Sequence, residues 1–74
     1  MELTVKLFAN FRDGRFREAS REVPEGTSIA DIVVGLGIDP KAVGVVLVNG
    51  RHAALEASPA PSDTVAIFPL IGGG

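Results

Sequence analysis

Residues 64–71, Thr-Val-Ala-Ile-Phe-Pro-Leu-Ile, give the most informative pattern in this sequence, and three glycines at positions 72–74 follow them directly. Val65 and Ile67 alternate with residues that face the other way, among them Phe68, which is the period-two pattern of a β-strand with one buried face. No turn signal or polar spacer separates this strand from the glycines. The chain is therefore expected to pass from a sheet straight into flexible backbone without side chains.

A second strand of the same type is predicted at residues 2–7, where polar and apolar side chains also alternate. Its apolar residues face a core, and by the same parity Phe8 faces outward. Asp13-Gly14 favours a hairpin turn, and the charged residues 16–23 suit an edge strand. In this arrangement the last strand pairs in parallel with the first.

One short helix is predicted after the hairpin. Ser28 with an acidic residue, Asp31, three positions later is typical of a helix start. The apolar side chains that follow recur at helical spacing: Ile29, Ile32, Val33 and Leu36. Gly37 suits the carboxyl end of the helix, and Pro40 prevents it from resuming.

Residues 45–48, Val-Val-Leu-Val, are apolar throughout and predict a deeply buried central strand. Asn49-Gly50 is a strong hairpin signal, so residues 51–55 are expected to form a short return strand. The whole order, ββαβββ, predicts an α+β fold with one mixed sheet and one main helix packed on one of its faces. We expect a single domain over residues 1–71 and a flexible glycine tail at 72–74.

The composition excludes several classes of function. The 74 residues contain no Cys, Tyr or Trp and one His, which excludes redox thiols and ordinary zinc sites, so no metal is expected. His52 is expected to be a surface turn residue rather than a catalyst. The net charge of −2 and the acids that interleave the arginines of residues 12–21 argue against nucleic-acid binding. No apolar run approaches the ~20 residues of a membrane helix, so we expect a soluble, cytoplasmic protein.

The tail carries the most distinctive chemistry. Its α-carboxylate, on Gly74, stands on glycines that can enter a channel too narrow for other residues. Phe68, Pro69 and Leu70 at the base of the tail, with Phe8 on the neighbouring strand, offer an apolar surface for a partner. The simpler alternatives are a frayed terminus, a cloning remnant, or core positions for both phenylalanines if the strand parity slips by one residue.

The chain resembles a known family in its central segment 46–50, in the approach to the tail at 62–69, and in the terminal Gly73-Gly74. These features look like the ubiquitin-like sulfur carriers of the MoaD and ThiS type, which have the β-grasp fold. The resemblance spans essentially the whole chain, but only the approach and the tail are specific. Gly72 makes a triple glycine where the family commonly shows two.

The resemblance implies a carrier that is not itself an enzyme and binds no cofactor. A ubiquitin-activator-like adenylating enzyme would use ATP to activate the carboxylate of Gly74, and a sulfur donor would convert it to a thiocarboxylate, with Gly73 as part of the reactive end. The sulfur would go to an acceptor synthase, either the molybdopterin synthase large subunit or a thiazole synthase. The implied partner-binding residues are Phe8, Phe68, Pro69, Leu70, Ile71 and Gly72.

Within this resemblance the first hairpin and Phe68-Pro69 look more like the small subunit of molybdopterin synthase, whereas the short length looks more like the thiamine carriers. Carriers for tRNA thiolation, a protein modifier joined through Gly74 to lysines, and an interaction module with an inert tail stay open as alternatives. We expect a monomer when the chain is free of its partners.

Overall fold

A mixed five-stranded sheet organises residues 1–71, which are the residues that the computed structural model describes. The strands are β1 (Glu2–Leu7), β2 (Glu18–Glu22), β3 (Val43–Val48), β4 (Arg51–His52) and β5 (Thr64–Pro69). Their order across the sheet is β2-β1-β5-β3-β4. The first and last strands, β1 and β5, pair in parallel as predicted, and the other neighbouring strands pair antiparallel.

One α-helix forms within residues 1–71, α1 (Ile29–Gly35), and it packs on one face of this sheet. The core between them consists of apolar side chains, namely Leu3, Val5, Leu7, Phe11, Ile29, Ile32, Val33, Ile38, Val46, Val65 and Ile67. Such a two-layer arrangement buries one stripe of the helix against one face of the sheet. The predicted α+β, ubiquitin-like β-grasp fold is confirmed, and so is the inward direction of the apolar residues in β1 and β5.

Local sequence signals set the limits of α1. The Ser28 hydroxyl accepts a hydrogen bond from the Asp31 backbone N–H at 3.1 Å, which satisfies one of the amides that a helix start leaves unpaired. Gly37 takes a φ of +77°, the left-handed conformation that commonly ends a helix. A helix of seven residues is marginal by itself, so it depends on packing against the sheet.

A long-range contact also holds the carboxyl end of α1. The Arg15 guanidinium donates to the carbonyls of Leu36 and Gly37 at 2.8 and 3.0 Å, and to that of Phe11 at 3.2 Å. These carbonyls come from the end of the helix and from the loop after β1. One side chain therefore joins the helix to the first hairpin.

The first hairpin differs from the prediction. A 3-10 helix, Ala9–Arg12, follows β1 and buries Phe11 in the core, so the loop is longer than a tight Asp-Gly turn. Strand β2 is correspondingly shorter than the predicted 16–23, although it does form one edge of the sheet. Burial of an aromatic ring outweighed the local turn preference.

The prediction of a deeply buried central strand at residues 45–48 is only partly correct, because Val46 is buried and the strand has a neighbour on each side, but one of its faces is accessible. The strand forms, as part of β3, but β5 is central in the sheet, and Val45 is 38% exposed. Among the described residues, no element covers the face of the sheet opposite α1, so the side chains of β3 that point there stay accessible. We call this uncovered face the outer face.

The return strand is also shorter than predicted, since β4 has two residues rather than five. The Asn49-Gly50 hairpin forms as expected, with positive φ at both positions. The chain then leaves the sheet because the carbonyls of Leu55 and Ala57 accept hydrogen bonds from Ala30 and Ile29 at the start of α1. Pairing with the helix start replaces pairing in the sheet.

Candidate functional site

Two aromatic rings meet on the outer face where β1 and β5 end. The rings of Phe8 and Phe68 are stacked, with centroids 4.1 Å apart and planes inclined by 11°. Strand alternation predicts that both face outward, and the parallel pairing of β1 with β5 makes them neighbours. Stacking of this kind stabilises a pair by about 0.5–1.5 kcal/mol beyond the area it buries. We call these two residues the aromatic pair.

An apolar groove runs from the aromatic pair along the base of the predicted tail. It has a volume of about 380 Å³ and is lined by Gly44, Val45, Leu47, His52, Phe68, Pro69, Leu70 and Ile71. The side chains of Leu70 and Ile71 are 58% and 89% exposed, which is unusual for large apolar residues that lie next to each other. His52 is exposed and lies opposite Leu47 across the β3–β4 pair, so the groove has one polar wall.

Backbone contacts fix the base of the tail to β3 and to the residue just before it, Ala42. The Leu70 N–H donates to the Ala42 carbonyl at 2.9 Å. A Cβ atom on Gly44 would lie only 2.8 Å from the Pro69 carbonyl oxygen and 3.0 Å from Leu70 Cα. This approach coincides with a register shift in the β3–β5 ladder between Val43 and Val45. Position 44 therefore requires glycine for the chain to leave the sheet along this path.

Sequence reasoning missed Gly44. The available signal is a glycine inside an otherwise apolar strand, which often marks a bulge or a close approach of two backbones. The partner strand of that approach is distant in sequence, so the pattern alone does not identify it.

A cationic hollow lies beside the aromatic pair and was also missed. It has a volume of about 150 Å³ and is lined by Lys6, Phe8, Arg12, Arg17 and Glu18. The Arg12 guanidinium lies over the Phe8 ring, 5.1 Å from its centroid, and its Nε donates to the Leu7 carbonyl at 2.7 Å. The sequence suggests only a solvated strand face here, because the interleaved acids give the segment a mixed charge.

The structure brings together five of the predicted partner-binding residues: Phe8, Phe68, Pro69, Leu70 and Ile71. Gly72, together with the predicted reactive residues Gly73 and Gly74, lies outside the described residues. Within residues 1–71 no group of three or more His, Cys, Asp or Glu side chains is arranged to hold a metal ion. No helix in that part of the chain is long and apolar enough to cross a membrane.

A polar network holds the opposite end of β5. The Asp63 carboxylate accepts hydrogen bonds from the Ala60 N–H and the Asn49 side-chain amide, both at 2.9 Å. These hydrogen bonds lower the pKa of Asp63 below its ordinary value of 3.8, the Ala60 contact contributing most. Asn49 also accepts from the Thr64 N–H, so the β3–β4 turn is tied to the start of β5. The network orders the strand that leads into the groove.

Solved structures of similar fold cover nearly the whole chain. SAMP1 from Haloferax volcanii is 28% identical, with a TM-score of 0.74 and 100% of both chains covered; it is also described as small archaeal modifier protein 1. A putative molybdopterin converting factor, subunit 1, from Pyrococcus furiosus is 26% identical, with a TM-score of 0.75, covering 96% of this chain and 99% of that one.

A complex of subunits 1 and 2 of molybdopterin-converting factor from Helicobacter pylori contains a chain that is 15% identical, with a TM-score of 0.65 and 100% of both chains covered. At that identity the likeness shows the fold alone. No curated protein sequence matches this chain significantly. The model of the ThiS family matches residues 5–74, and this ubiquitin-like chain with an apolar groove at the end of its last strand belongs to that family.

Proposed function

We propose that this protein is a sulfur carrier whose carboxylate on Gly74 is adenylated by a partner enzyme, converted to a thiocarboxylate, and used to donate sulfur in molybdopterin biosynthesis. Membership of the ThiS family supports a carrier or a ubiquitin-like modifier. The protein then acts as a co-substrate, or as the small subunit of a synthase, in the cytoplasm. It binds no cofactor, and the ATP belongs to the partner.

The observation that carries the proposal is the apolar groove at the point where β5 ends. Leu70 and Ile71 expose large apolar areas there, next to the aromatic pair, and the lining is mostly apolar. Aromatic residues within a contiguous apolar surface are typical of the centre of protein interfaces. A partner that covers the groove would hold the following glycines at a defined place and direction.

The chemistry needs no nucleophilic side chain from this protein, because the carboxylate of Gly74 is the only group of the chain that reacts. An oxygen of the Gly74 carboxylate attacks the α-phosphorus of ATP, which forms an acyl-adenylate and releases pyrophosphate. Sulfide or a persulfide then attacks the acyl carbon, the bond from that carbon to the adenylate oxygen breaks, and AMP leaves. Where the attacking group is a persulfide, a thiol afterwards cleaves the S–S bond reductively. The product carries a thiocarboxylate, whose sulfur can be passed to an acceptor synthase.

Two observations bear on where the sulfur goes. The likeness to the putative molybdopterin converting factor subunit 1, at 26% identity over almost the full length of both chains, favours a molybdopterin synthase large subunit as the acceptor. The acceptor of the thiamine carriers is a thiazole synthase, and the match to the ThiS family supports it as the alternative destination.

A second function, conjugation to proteins, is favoured by the 28% identity to SAMP1, a protein described as a small archaeal modifier. It shares the acyl-adenylate but ends in an isopeptide bond, because a lysine amine rather than sulfide attacks the acyl carbon. The two functions therefore differ in the nucleophile and not in the activation step.

The test is intact mass after incubation with ATP, sulfide and an adenylating enzyme related to the ubiquitin activators. We expect the full chain to gain the mass difference between sulfur and oxygen, and a chain that lacks Gly73 and Gly74 to gain nothing. The thiocarboxylated chain is then offered to a molybdopterin synthase large subunit and to a thiazole synthase, and the loss of its sulfur is followed with each.

Two results would contradict the proposal. Conjugates that need Gly74 and resist thiol reagents, with no thiocarboxylate formed, would identify a modifier. Equal partner binding with and without Gly73 and Gly74, together with no reaction at the carboxylate, would identify an interaction module with an inert tail.

A further inference from the structure

The cationic hollow has a net positive charge although the whole chain is negative. Three of its lining side chains are basic, Lys6, Arg12 and Arg17, and one, Glu18, is acidic. The Lys6 ammonium and the Glu18 carboxylate are 3.9 Å apart, and both side chains are substantially exposed, which makes this ion pair weak. The hollow therefore carries a charge of about +2 on a protein whose net charge is −2.

Arg12 is held in place before any partner arrives. Its Nε donates to the Leu7 carbonyl, and the central carbon of its guanidinium lies over the Phe8 ring. These contacts fix the side chain against the aromatic pair and use one of its five N–H groups. Within residues 1–71 no carboxylate lies within ion-pair distance of Arg12 or Arg17, so their remaining donors are available to a partner.

The positive charge of the cationic hollow lies on one side of the apolar groove only. The strand order places the hollow on β1 and β2, whereas Val45, Leu47 and His52 line the groove on β3 and β4. An apolar surface alone has little directional preference, because apolar burial is non-directional. A charged cluster at one end of that surface distinguishes one docking orientation from its reverse.

We propose that the partner enzyme presents a cluster of carboxylates that fits the cationic hollow, and that this contact orients the carrier so that its tail points into the partner's active site. The proposal rests on the proposed function and specifies the chemistry of the partner surface. A guanidinium binds a carboxylate through two parallel hydrogen bonds, and Arg12 is held in a fixed position to do so. The neighbouring aromatic pair favours a protein surface, since it supplies apolar contact next to the charge.

The test measures association between this chain and the adenylating enzyme that produces the thiocarboxylate. Arg17→Glu reverses an exposed charge of the hollow, and Arg12→Glu reverses the fixed one. Arg51→Glu is the matched control, because it makes the same change of net charge on the edge strand farthest from the hollow. Arg12→Lys keeps the charge but removes the paired hydrogen bonds.

We expect the association rate constant to fall about tenfold for Arg17→Glu at 50 mM NaCl and by less than about twofold for Arg51→Glu. Because a high ionic strength shortens the Debye length to roughly 3 Å, the difference should nearly disappear at 1 M NaCl. In steady-state adenylation the KM for the chain should rise while kcat stays the same. Arg12→Lys should fall between wild type and Arg12→Glu.

The outcomes separate this proposal from the one it rests on. Normal thiocarboxylate formation with the same association rates for wild type, Arg12→Glu and Arg17→Glu overturns the carboxylate contact and leaves the carrier function intact. No reaction in any chain, wild type included, overturns both. Binding of the wild-type chain to a single-stranded RNA 20-mer that is lost in Arg12→Glu and Arg17→Glu would reassign the hollow to phosphate groups.

Discussion

Gly44→Ala should strain the point where the chain leaves the sheet. The added Cβ would lie 2.8 Å from the Pro69 carbonyl oxygen, 3.0 Å from Leu70 Cα and 3.1 Å from Leu70 N. All three neighbours are backbone atoms, so no side-chain rotation relieves the contact. Strand β3 and the base of the tail must separate, and the hydrogen bond from Leu70 to Ala42 lengthens with them.

The size of the effect follows from these distances. Ordinary contact with a Cβ begins near 3.4 Å, so the shortest distance of 2.8 Å must grow by about 0.6 Å. Overpacking of this kind costs about 1–3 kcal/mol. Loss of a glycine also makes the unfolded chain less flexible, which offsets about 0.4–1 kcal/mol. Taking the middle of both ranges, we expect a net loss of stability of about 1–2 kcal/mol.

Thermal unfolding measures this change. For a chain of this size, about 1 kcal/mol shifts Tm by roughly 6 °C, so Gly44→Ala should lower Tm by about 6–12 °C. Amide exchange at Leu70 should become faster. Gly35→Ala is the control: it lies at the end of α1, a Cβ there meets nothing within 4 Å, and its Tm should stay equal or rise by up to about 6 °C.

Two results would contradict the role of Gly44. If Gly44→Ala had the Tm and the Leu70 exchange rate of wild type, the close approach of β3 to the tail base would be wrong. If Gly44→Ala and Gly35→Ala lowered Tm equally, a general cost of removing glycine rather than this contact would explain the loss.

Three further changes test other parts of the molecule. Phe68→Asp should leave a folded protein, because the Phe68 ring is only half-buried. The substitution should weaken binding of the adenylating enzyme by about 30-fold, as measured by titration calorimetry. Unchanged affinity would show that the aromatic pair is not part of the docking surface. Arg15→Ala should lower Tm by about 6–12 °C, because it removes hydrogen bonds to three carbonyls. Arg51→Ala is the control, since Arg51 is also exposed but makes no such contacts, and equal Tm values for the two variants would show that the Arg15 link is unimportant. The pKa of Asp63 in the folded protein lies below the ordinary 3.8, so its ionised form stabilises the fold above pH 3.8, and this contribution is lost as the pH falls through the folded pKa. Asp63→Asn should therefore have a lower Tm than wild type at pH 6 and a smaller difference in Tm at pH 3. A difference in Tm that does not depend on pH would contradict the role of the Asp63 charge.

Much of the fold is local enough to predict from the sequence. Alternation in residues 2–7 and 64–68 sets which side chains enter the core, and the Ser28–Asp31 pair sets the helix start. The length of β2, the short β4 and the exposed face of β3 were not predicted. Each depends on a competing contact from elsewhere, such as burial of Phe11 or the carbonyls that cap α1.

The order of the elements, their inward faces and the family can be predicted from the sequence, because period and turn chemistry act over a few neighbouring residues. Three contacts appear only in the folded chain: Phe8 stacks on Phe68, Gly44 lies against the backbone of Pro69 and Leu70, and Lys6 and Arg17 line one hollow. These contacts depend on strand register, which joins residues far apart in the chain. A one-residue change of register would place different side chains together, and the register cannot be predicted from a local sequence pattern.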